Sequence, residues 1–252
     1  MPAVSPTSER KLARNNAKST NLDHERNLAR NHQVRYIGAA DEVGRGALAG
    51  PITVGFTVID IDAVLDFPEL RDSKLLSAHR REELAPQVKD WAVGYGVGHA
   101  SAQEIDELGV TAALRLAGSR AVALCAVQPD AVLLDGSYDW LSAPEQDLFD
   151  LLEGDREPVG LEVPVTTIIK GDMTCQAIAA ASILAKVERD GIMAELALEF
   201  PHFGWDVNKG YATASHRAAI VDQGPCEFHR QSWNLTSTTE KDKGKATGTK
   251  AK

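Results

Sequence analysis

The 252-residue sequence contains no long apolar segment. No stretch approaches the ~20 consecutive apolar residues that a membrane-spanning helix needs. The first twenty residues are polar and basic, and they lack the apolar core of a secretory signal. These absences argue against a membrane-embedded or secreted protein and predict a cytoplasmic one.

Cysteine is also scarce. The three cysteines, Cys125, Cys175 and Cys226, are far apart and form no C-x-x-C pair. An odd number of widely spaced cysteines predicts neither a disulfide framework nor a zinc site. We therefore expect buried or half-buried thiols that serve packing alone.

The formal net charge of −9 is unevenly distributed along the chain. Residues 1–35 carry a net +4 and residues 236–252 a net +3, which leaves −16 on the segment between them. This pattern fits an enzyme that holds metal ions through carboxylates and contacts phosphates through local cations, but it fits an ordinary acidic enzyme with loose tails equally well. Composition divides the chain into a polar basic extension at 1–34, a folded domain at 35–235 and a disordered Lys-rich tail at 236–252.

Apolar periodicity predicts an α/β protein with one mixed β-sheet flanked by helices and a helical part at its C-terminal end. The predicted strands span 35–40, 52–59, 92–100, 131–134 and 163–169. The predicted helices span 77–91, 111–127, 175–200 and 215–223, with a short helix after the capping box of Ser101 and Glu104 and another possible one at 22–28.

Four acidic residues follow the predicted strands and carry the main chemical signal. Asp41 and Glu42 end the first strand, while Asp135 and Asp172 each follow a later apolar strand and lie beside a glycine. Ligands collect at strand ends in open α/β sheets, and clustered carboxylates require a compensating cation such as Mg²⁺ or Mn²⁺. Since neighbouring strand residues point to opposite faces, Asp41 and Glu42 can share one site only if the strand ends or bulges there.

Other interpretations of these segments remain open on the residues alone. The segment around Asp41 could be a solvated turn with charged side chains. Its Gly44-x-Gly46-x-x-Ala49 spacing also matches a loose dinucleotide-binding fingerprint, although that fingerprint should open a helix and a β-branched run follows here instead. The spacing of three histidines matches no metal motif, so we interpret them as structural: His202, His216 and His229.

Six motifs in order resemble ribonuclease HII, the type 2 ribonuclease H family, over residues 35–235. They are DEVGRG at 41–46, DSK at 72–74, LLDG at 133–136, KGD at 170–172, AAASILAKVERD at 179–190 and NKGYAT at 208–213. The resemblance implies a ribonuclease H-like catalytic domain. It also implies that Asp41, Glu42, Asp135 and Asp172 are the catalytic residues and bind two divalent ions, Mn²⁺ or Mg²⁺, with Asp41 bridging them.

The resemblance also implies how the substrate is recognised. The backbone of the Gly44-Arg45-Gly46 loop would sense the 2′-OH at an RNA–DNA junction, and Tyr211 would stack on the deoxyribose that follows. Side chains near the backbone phosphates would position the duplex without reading its sequence, and these are Ser73, Lys74 and Lys186.

The expected function is an endoribonuclease that hydrolyses the RNA strand of RNA–DNA hybrids and nicks 5′ of ribonucleotides embedded in duplex DNA. The reaction would be a two-metal-ion phosphodiester hydrolysis that leaves 3′-OH and 5′-phosphate ends. The alternative is a non-catalytic module that binds RNA–DNA hybrids, whose sequence signature would be a missing carboxylate. We expect nucleic acid as the partner, no membrane association and a monomer.

Overall fold

A computed structural model describes residues 20–144 and 159–236. Most of the basic extension and nearly all of the Lys-rich tail lie outside the described residues. The strands are β1 (Tyr36–Val43), β2 (Ile52–Asp60), β3 (Gly94–Ala100), β4 (Ala131–Asp135) and β5 (Val165–Ile168). The helices are α1 (Asp23–His32), α2 (Ala78–Trp91), α3 (Ala102–Leu108), α4 (Val110–Ala123), α5 (Gln176–Glu199), α6 (Trp205–Asn208) and α7 (Ala214–Gln223).

The five strands form one sheet in the order β3-β2-β1-β4-β5. The β3-β2-β1 part is antiparallel, whereas β1, β4 and β5 run parallel. Parallel neighbours need crossover connections, and the helices α2 to α4 lie between β2 and β4 in the chain. The predicted mixed sheet flanked by helices is confirmed, and the parallel half brings the carboxyl ends of β1, β4 and β5 to one edge.

Helices α4 and α5 cover the two faces of the sheet, and glycines let them approach closely. A Cβ at Gly55 of β2 would lie 2.0 Å from the carbonyl oxygen of Ala181 in α5, and one at Gly98 of β3 would lie 2.1 Å from that of Ala117 in α4. Because these contacts leave no room for a side chain, the strands pack directly against helix backbone. Helix α5 consequently passes across the middle of the sheet.

The chain after α5 forms a small helical part with its own apolar cluster. Phe203 and Trp205 are buried there against Met193 of α5. The cluster also contacts Leu48 and Ala49 of the loop between β1 and β2. The predicted C-terminal helical part is thus anchored both to α5 and to the loop that follows the first acidic strand.

Several boundaries differ from the sequence-based expectation. Strand β1 continues to Val43 instead of ending at residue 40, because it stays paired with β2 up to Val43↔Thr53. Helix α4 ends at Ala123 rather than at 127. The capping box of Ser101 and Glu104 is present as expected.

The possible helix near the N-terminus is α1, and it packs on the folded domain. Leu22 and Leu28 are buried in a cluster with residues of β1 and β4. The division of the chain into three parts stays a prediction. None of the helices in the described ranges has the length and apolar character needed to cross a bilayer.

Candidate metal centre and nucleic-acid interface

Three carboxylates converge at the edge where the parallel strands end. Asp41 lies in β1 just past its last pairing with β4, Ala40↔Leu134, while Asp135 is the final residue of β4. Asp172 lies in the 3₁₀ turn Gly171–Met173 that follows β5. One oxygen from each of these three side chains lies within 4.8 Å of the others. The topology therefore brings together residues that are far apart in sequence.

Backbone hydrogen bonds fix the orientation of this carboxylate cluster, which we define as Asp41, Asp135 and Asp172. The N–H of Gly171 donates to Oδ1 of Asp135 at 2.7 Å, which ties the end of β4 to the turn that carries Asp172. The N–H of Glu42 donates to Oδ1 of Asp41 at 2.8 Å. Asp41 and Asp135 are thus held by backbone N–H groups, while Asp172 is held by the Nζ of Lys74 at 3.3 Å.

Burial and mutual repulsion disfavour the charged forms of these acids. Burial is the largest effect on Asp41 and raises its pKa well above the usual value, with a further rise from Asp135 and Glu42 and an opposing hydrogen bond from Ser182. Burial and then Asp135 also raise the pKa of Asp172, against the lowering effect of Lys74. A site that penalises negative charge in this way favours a bound cation.

Glu42 lies beside the cluster and is not one of its three close members. Strand β1 neither ends nor bulges at Asp41, since regular pairing with β2 continues through Glu42↔Val54. Burial raises the pKa of Glu42 to about 7, with Arg45 lowering it and Asp135 raising it. Because Asp135 and Lys74 both act on this carboxyl, it shares the electrostatic field of the cluster.

The Gly44-Arg45-Gly46 loop leaves β1 next to the cluster. Gly44 has φ +86°, and a Cβ there would lie 2.2 Å from Nε of Arg189, so only glycine fits without strain. Arg45 and Gly46 are exposed, and Arg45 lies 3.7 Å from Glu42 as an ion pair. The loop continues into β2 at Ile52 and not into a helix, which contradicts a dinucleotide-binding fingerprint.

Tyr211 is attached to this loop from the C-terminal part. Its hydroxyl accepts a hydrogen bond from the N–H of Gly44 at 3.3 Å. The guanidinium of Arg189 lies 5.4 Å from the centre of its ring, and the residue remains 36% exposed. The ring is therefore held at a fixed place beside the loop while part of it faces solvent.

The three other residues predicted to contact phosphates occupy different environments. Lys74 is 73% exposed, and its Nζ lies 3.3 Å from Oδ2 of Asp172. Ser73 is buried, and its hydroxyl lies 2.8 Å from that of Ser182. Lys186 is mostly buried and pairs with Asp190 at 2.6 Å. Of the three, Lys74 is the cation that lies both on the surface and beside the cluster.

Two of the three histidines form a buried hydrogen-bonded pair. Nδ1 of His216 lies 2.9 Å from the carbonyl oxygen of Tyr211, so this nitrogen must carry the proton. Its Nε2 then accepts from Nε1 of Trp205 at 3.0 Å and lies 3.2 Å from Nε2 of His229. These contacts fit the structural role expected for His216 and His229, and they support the segment that carries Tyr211.

Sequence reasoning missed several residues that shape the site. Ser182, one turn before Lys186 on α5, hydrogen bonds Ser73 and acts on Asp41. Arg189 is fully buried on the same helix, and its spacing of four from Ala185 and Met193 could have indicated an inward position. Arg230 is equally buried in a C-terminal segment without regular structure, where no periodicity could reveal it.

The residues present fit a divalent cation. Carboxylate oxygens are the hard donors that Mg²⁺ and Mn²⁺ prefer, and three of them face one point from separate elements. Lys74 is the cation that contacts Asp172, and it balances only part of the negative charge. The cluster is the one group with metal-ligand spacing found in the ranges 20–144 and 159–236.

Comparison with known proteins agrees with this geometry. The family model described as Ribonuclease HII matches residues 37–236. The ribonuclease HII of Streptomyces avermitilis is 45% identical over 210 residues, covering 83% of this chain and 81% of that protein. The ribonuclease HII of Paracoccus denitrificans is 42% identical over 203 residues, covering 79% of this chain and 85% of that protein.

A solved structure gives the same result for the fold. The complex of PCNA and RNase HII from Archaeoglobus fulgidus contains a chain that matches with a TM-score of 0.59 and 27% identity, over 83% of this chain and all of that one (100%). The sequence similarity and the fold similarity thus extend over nearly all of the described residues, and the carboxylate cluster lies within the matched range. The chain belongs to the ribonuclease HII family and is a metal-dependent endonuclease of the ribonuclease H type.

Proposed function

We propose that this enzyme hydrolyses the RNA strand of RNA–DNA hybrids and nicks duplex DNA on the 5′ side of an embedded ribonucleotide. The observation that carries the proposal is the proximity of two features, the carboxylate cluster and the loop that joins it directly along β1. The first supplies hydrolytic chemistry, and the second supplies exposed backbone donors for a sugar hydroxyl. Such an activity fits ribonucleotide excision repair and DNA replication.

The carboxylate cluster would hold two divalent ions, Mn²⁺ or Mg²⁺. Although β1 does not bulge at Asp41, Glu42 would complete the set of four acids from the edge of the cluster, where Asp135 and Lys74 act on its carboxyl. When bound, such ions activate water and stabilise charge on the oxygens of an in-line displacement at phosphorus. Asp41 lies near each of the other acids, since Asp135, Glu42 and Asp172 all raise its pKa. This position supports a bridging role. The products would carry 3′-OH and 5′-phosphate ends.

Recognition of the ribonucleotide would depend on the loop and on Tyr211. Arg45 and Gly46 are exposed residues whose N–H groups donate to none of the described residues, so both groups can donate to a 2′-OH, which distinguishes RNA from DNA. Tyr211 would stack on the next sugar, and its contact with the N–H of Gly44 sets the distance between the two recognition elements. A deoxyribose at that position would allow close stacking where a ribose would not.

Cations around the cluster would position the sugar-phosphate backbone. Lys74 and Arg45 are the exposed cations next to the acids, and both are long enough to reach a phosphate. Ser73 and Lys186 would act from deeper positions, Ser73 through Ser182 and Lys186 after exchange of its contact with Asp190. We propose that the enzyme works as a cytoplasmic monomer.

The test is a cleavage assay on two end-labelled substrates with Mg²⁺, Mn²⁺ or EDTA. One substrate is a DNA duplex with a single ribonucleotide, and the other is a continuous RNA–DNA hybrid. We expect a metal-dependent nick on the 5′ side of the single ribonucleotide and cutting of the hybrid. Cutting of the hybrid alone would refute junction recognition, and no cutting of either would favour the non-catalytic binding module.

A further inference from the structure

Two arginines of the C-terminal half are buried with no carboxylate partner among the residues that the structure describes. Arg189 and Arg230 are both 0% exposed. Every hydrogen bond that their guanidinium groups donate to the described residues goes to a backbone carbonyl oxygen. A buried cation is costly unless it is fully hydrogen bonded, so an arrangement of this kind indicates a specific role.

Arg230 donates hydrogen bonds to the loop that follows β1. Its Nη1 donates to the carbonyl oxygen of Arg45 at 2.7 Å, and its Nη2 donates to that of Gly44 at 2.5 Å. A longer contact of 3.3 Å joins Nη2 to the carbonyl oxygen of Gly50. One planar guanidinium thus fixes two consecutive peptide units and the far end of the same loop.

The orientation of these carbonyl groups decides where the neighbouring N–H groups point. In a planar trans peptide the C=O and N–H bonds point in opposite directions, and the described chain has no cis peptide bond. The carbonyl groups of Gly44 and Arg45 are turned inward to Arg230, so the N–H groups of Arg45 and Gly46 are turned outward. Neither N–H has an acceptor within the described parts of the protein.

Arg189 connects the same loop to the segment of Tyr211. It donates to the carbonyl oxygens of Ala49, Pro51 and Lys209. Its guanidinium also lies 5.4 Å from the ring centre of Tyr211. The two arginines therefore set both the direction of the loop donors and their distance from the aromatic ring.

We propose that Arg230 is a positioning residue for ribonucleotide recognition, which it serves by turning the N–H groups of Arg45 and Gly46 toward the 2′-OH. This inference rests on the proposed function, because it assigns to Arg230 the preorganisation of the loop that reads the sugar. Preorganised donors bind more tightly than donors that must rotate into place. Arg230 itself touches neither the substrate nor the carboxylate cluster.

The test compares Arg230→Lys and Arg230→Met with a matched control, Arg217→Lys. Arg217 is also a buried arginine that donates to backbone carbonyl oxygens, those of Asn234 and Leu235, but it does not contact the loop. In each of the two native arginines Nε has no partner in the described ranges, which makes the environments comparable. Lysine keeps the charge but cannot hold two carbonyl groups in a fixed fork.

The measured quantity is the ratio of two dissociation constants for each protein in EDTA, where cutting is suppressed. One duplex is all DNA, and the other is identical except for a single ribonucleotide. The ratio does not depend on the fraction of protein that is folded, because both duplexes are measured on the same preparation. A thermal melt of each variant accompanies the titrations.

Wild type should prefer the duplex with the ribonucleotide. Both Arg230 variants should reduce this preference by about fivefold for each hydrogen bond weakened, and Arg217→Lys should keep the wild-type ratio. A wild-type ratio in both Arg230 variants would overturn the role of Arg230 and leave the proposed function intact. A ratio of one in wild type itself would overturn the recognition of the 2′-OH by the loop, and with it the part of the proposed function that concerns embedded ribonucleotides.

Discussion

Replacing Asp41 by Asn should abolish catalysis and at the same time stabilise the metal-free protein. Asparagine has the same shape and keeps the Oδ1 acceptor for the N–H of Glu42, so the local backbone contact survives. What disappears is one negative charge in a cluster of three buried or half-buried acids. The two effects have opposite signs because the charge of Asp41 binds the cation but, in the metal-free protein, repels the neighbouring acids and lowers stability.

The magnitude follows from the geometry of the cluster. Two full charges at the 4.8 Å limit of the cluster repel by about 3.5 kcal/mol at an effective dielectric constant of about 20. Burial and the neighbouring acids raise the pKa of Asp41 and so disfavour its charged form, which reduces the repulsion that its removal relieves. We therefore expect a gain of about 1–3 kcal/mol in the free energy of unfolding in EDTA, or about 2–4 °C in Tm for each kcal/mol.

The loss of activity is estimated in the same way. A metal ligand contributes several kcal/mol of charge stabilisation to the transition state, so the rate should fall by about 10³-fold or more. The assays are a thermal melt in EDTA and single-turnover cleavage of the single-ribonucleotide duplex. The matched control is Asp90→Asn, which removes an exposed charge from α2 and should change neither quantity. A Tm below that of wild type, or a near-normal rate in Asp41→Asn, would refute the reasoning.

Three further predictions concern the loop, the tyrosine and a buried histidine. Gly44→Ala should destabilise the fold by about 1–3 kcal/mol in a denaturant titration, because the residue has φ +86° and the new Cβ would lie 2.2 Å from Nε of Arg189. Gly46→Ala should leave the stability unchanged, because there is open space around Gly46. Tyr211→Phe should lower kcat/KM on the single-ribonucleotide duplex by about fivefold, the value of one neutral hydrogen bond. Burial lowers the pKa of His229 from 6.5 to about 4, so between these pH values the unfolded chain binds a proton that the folded protein does not, and the contribution of His229 to stability should fall by about 3 kcal/mol as the pH drops from 6.5 to 4.

Each of these predictions has a contradicting outcome. Equal stability of Gly44→Ala and Gly46→Ala would show that the loop adapts to a side chain. An unchanged kcat/KM in Tyr211→Phe would remove the hydroxyl contact from the recognition model. In urea titrations at several pH values, His229→Gln should have a flatter pH dependence of stability than wild type, and an unchanged slope would assign the acid sensitivity to other groups.

The strand-end acids show what the sequence could predict. Asp135 ends one short strand and Asp172 lies in the turn after the next, and a parallel sheet brings such strand ends together whatever the details of packing. The mixed sheet and the covering helix α5 followed from hydrophobic periodicity in the same way. Local pattern is sufficient here because each acid is placed by the strand that precedes it.

Other features depended on contacts that no local pattern encodes. Strand β1 runs past Asp41 because β2 pairs with it to Val43, and this register is a property of two strands together. Ser73 is buried and its hydroxyl is hydrogen bonded to that of Ser182, which lies 109 positions away in the chain. The same holds for Arg230, whose acceptors in the loop are 180 to 186 positions away in the chain.

The measurement that tests the central claim most directly is a titration of the protein with Mn²⁺ followed by electron paramagnetic resonance. It reports metal binding without any substrate and so separates the cluster from the recognition loop. Wild type and Asp90→Asn should bind Mn²⁺ alike, whereas Asp41→Asn and Asp172→Asn should each bind it at least about tenfold more weakly, since each loses a charged ligand. Equal binding in all four proteins would contradict the assignment of the metal centre to these carboxylates.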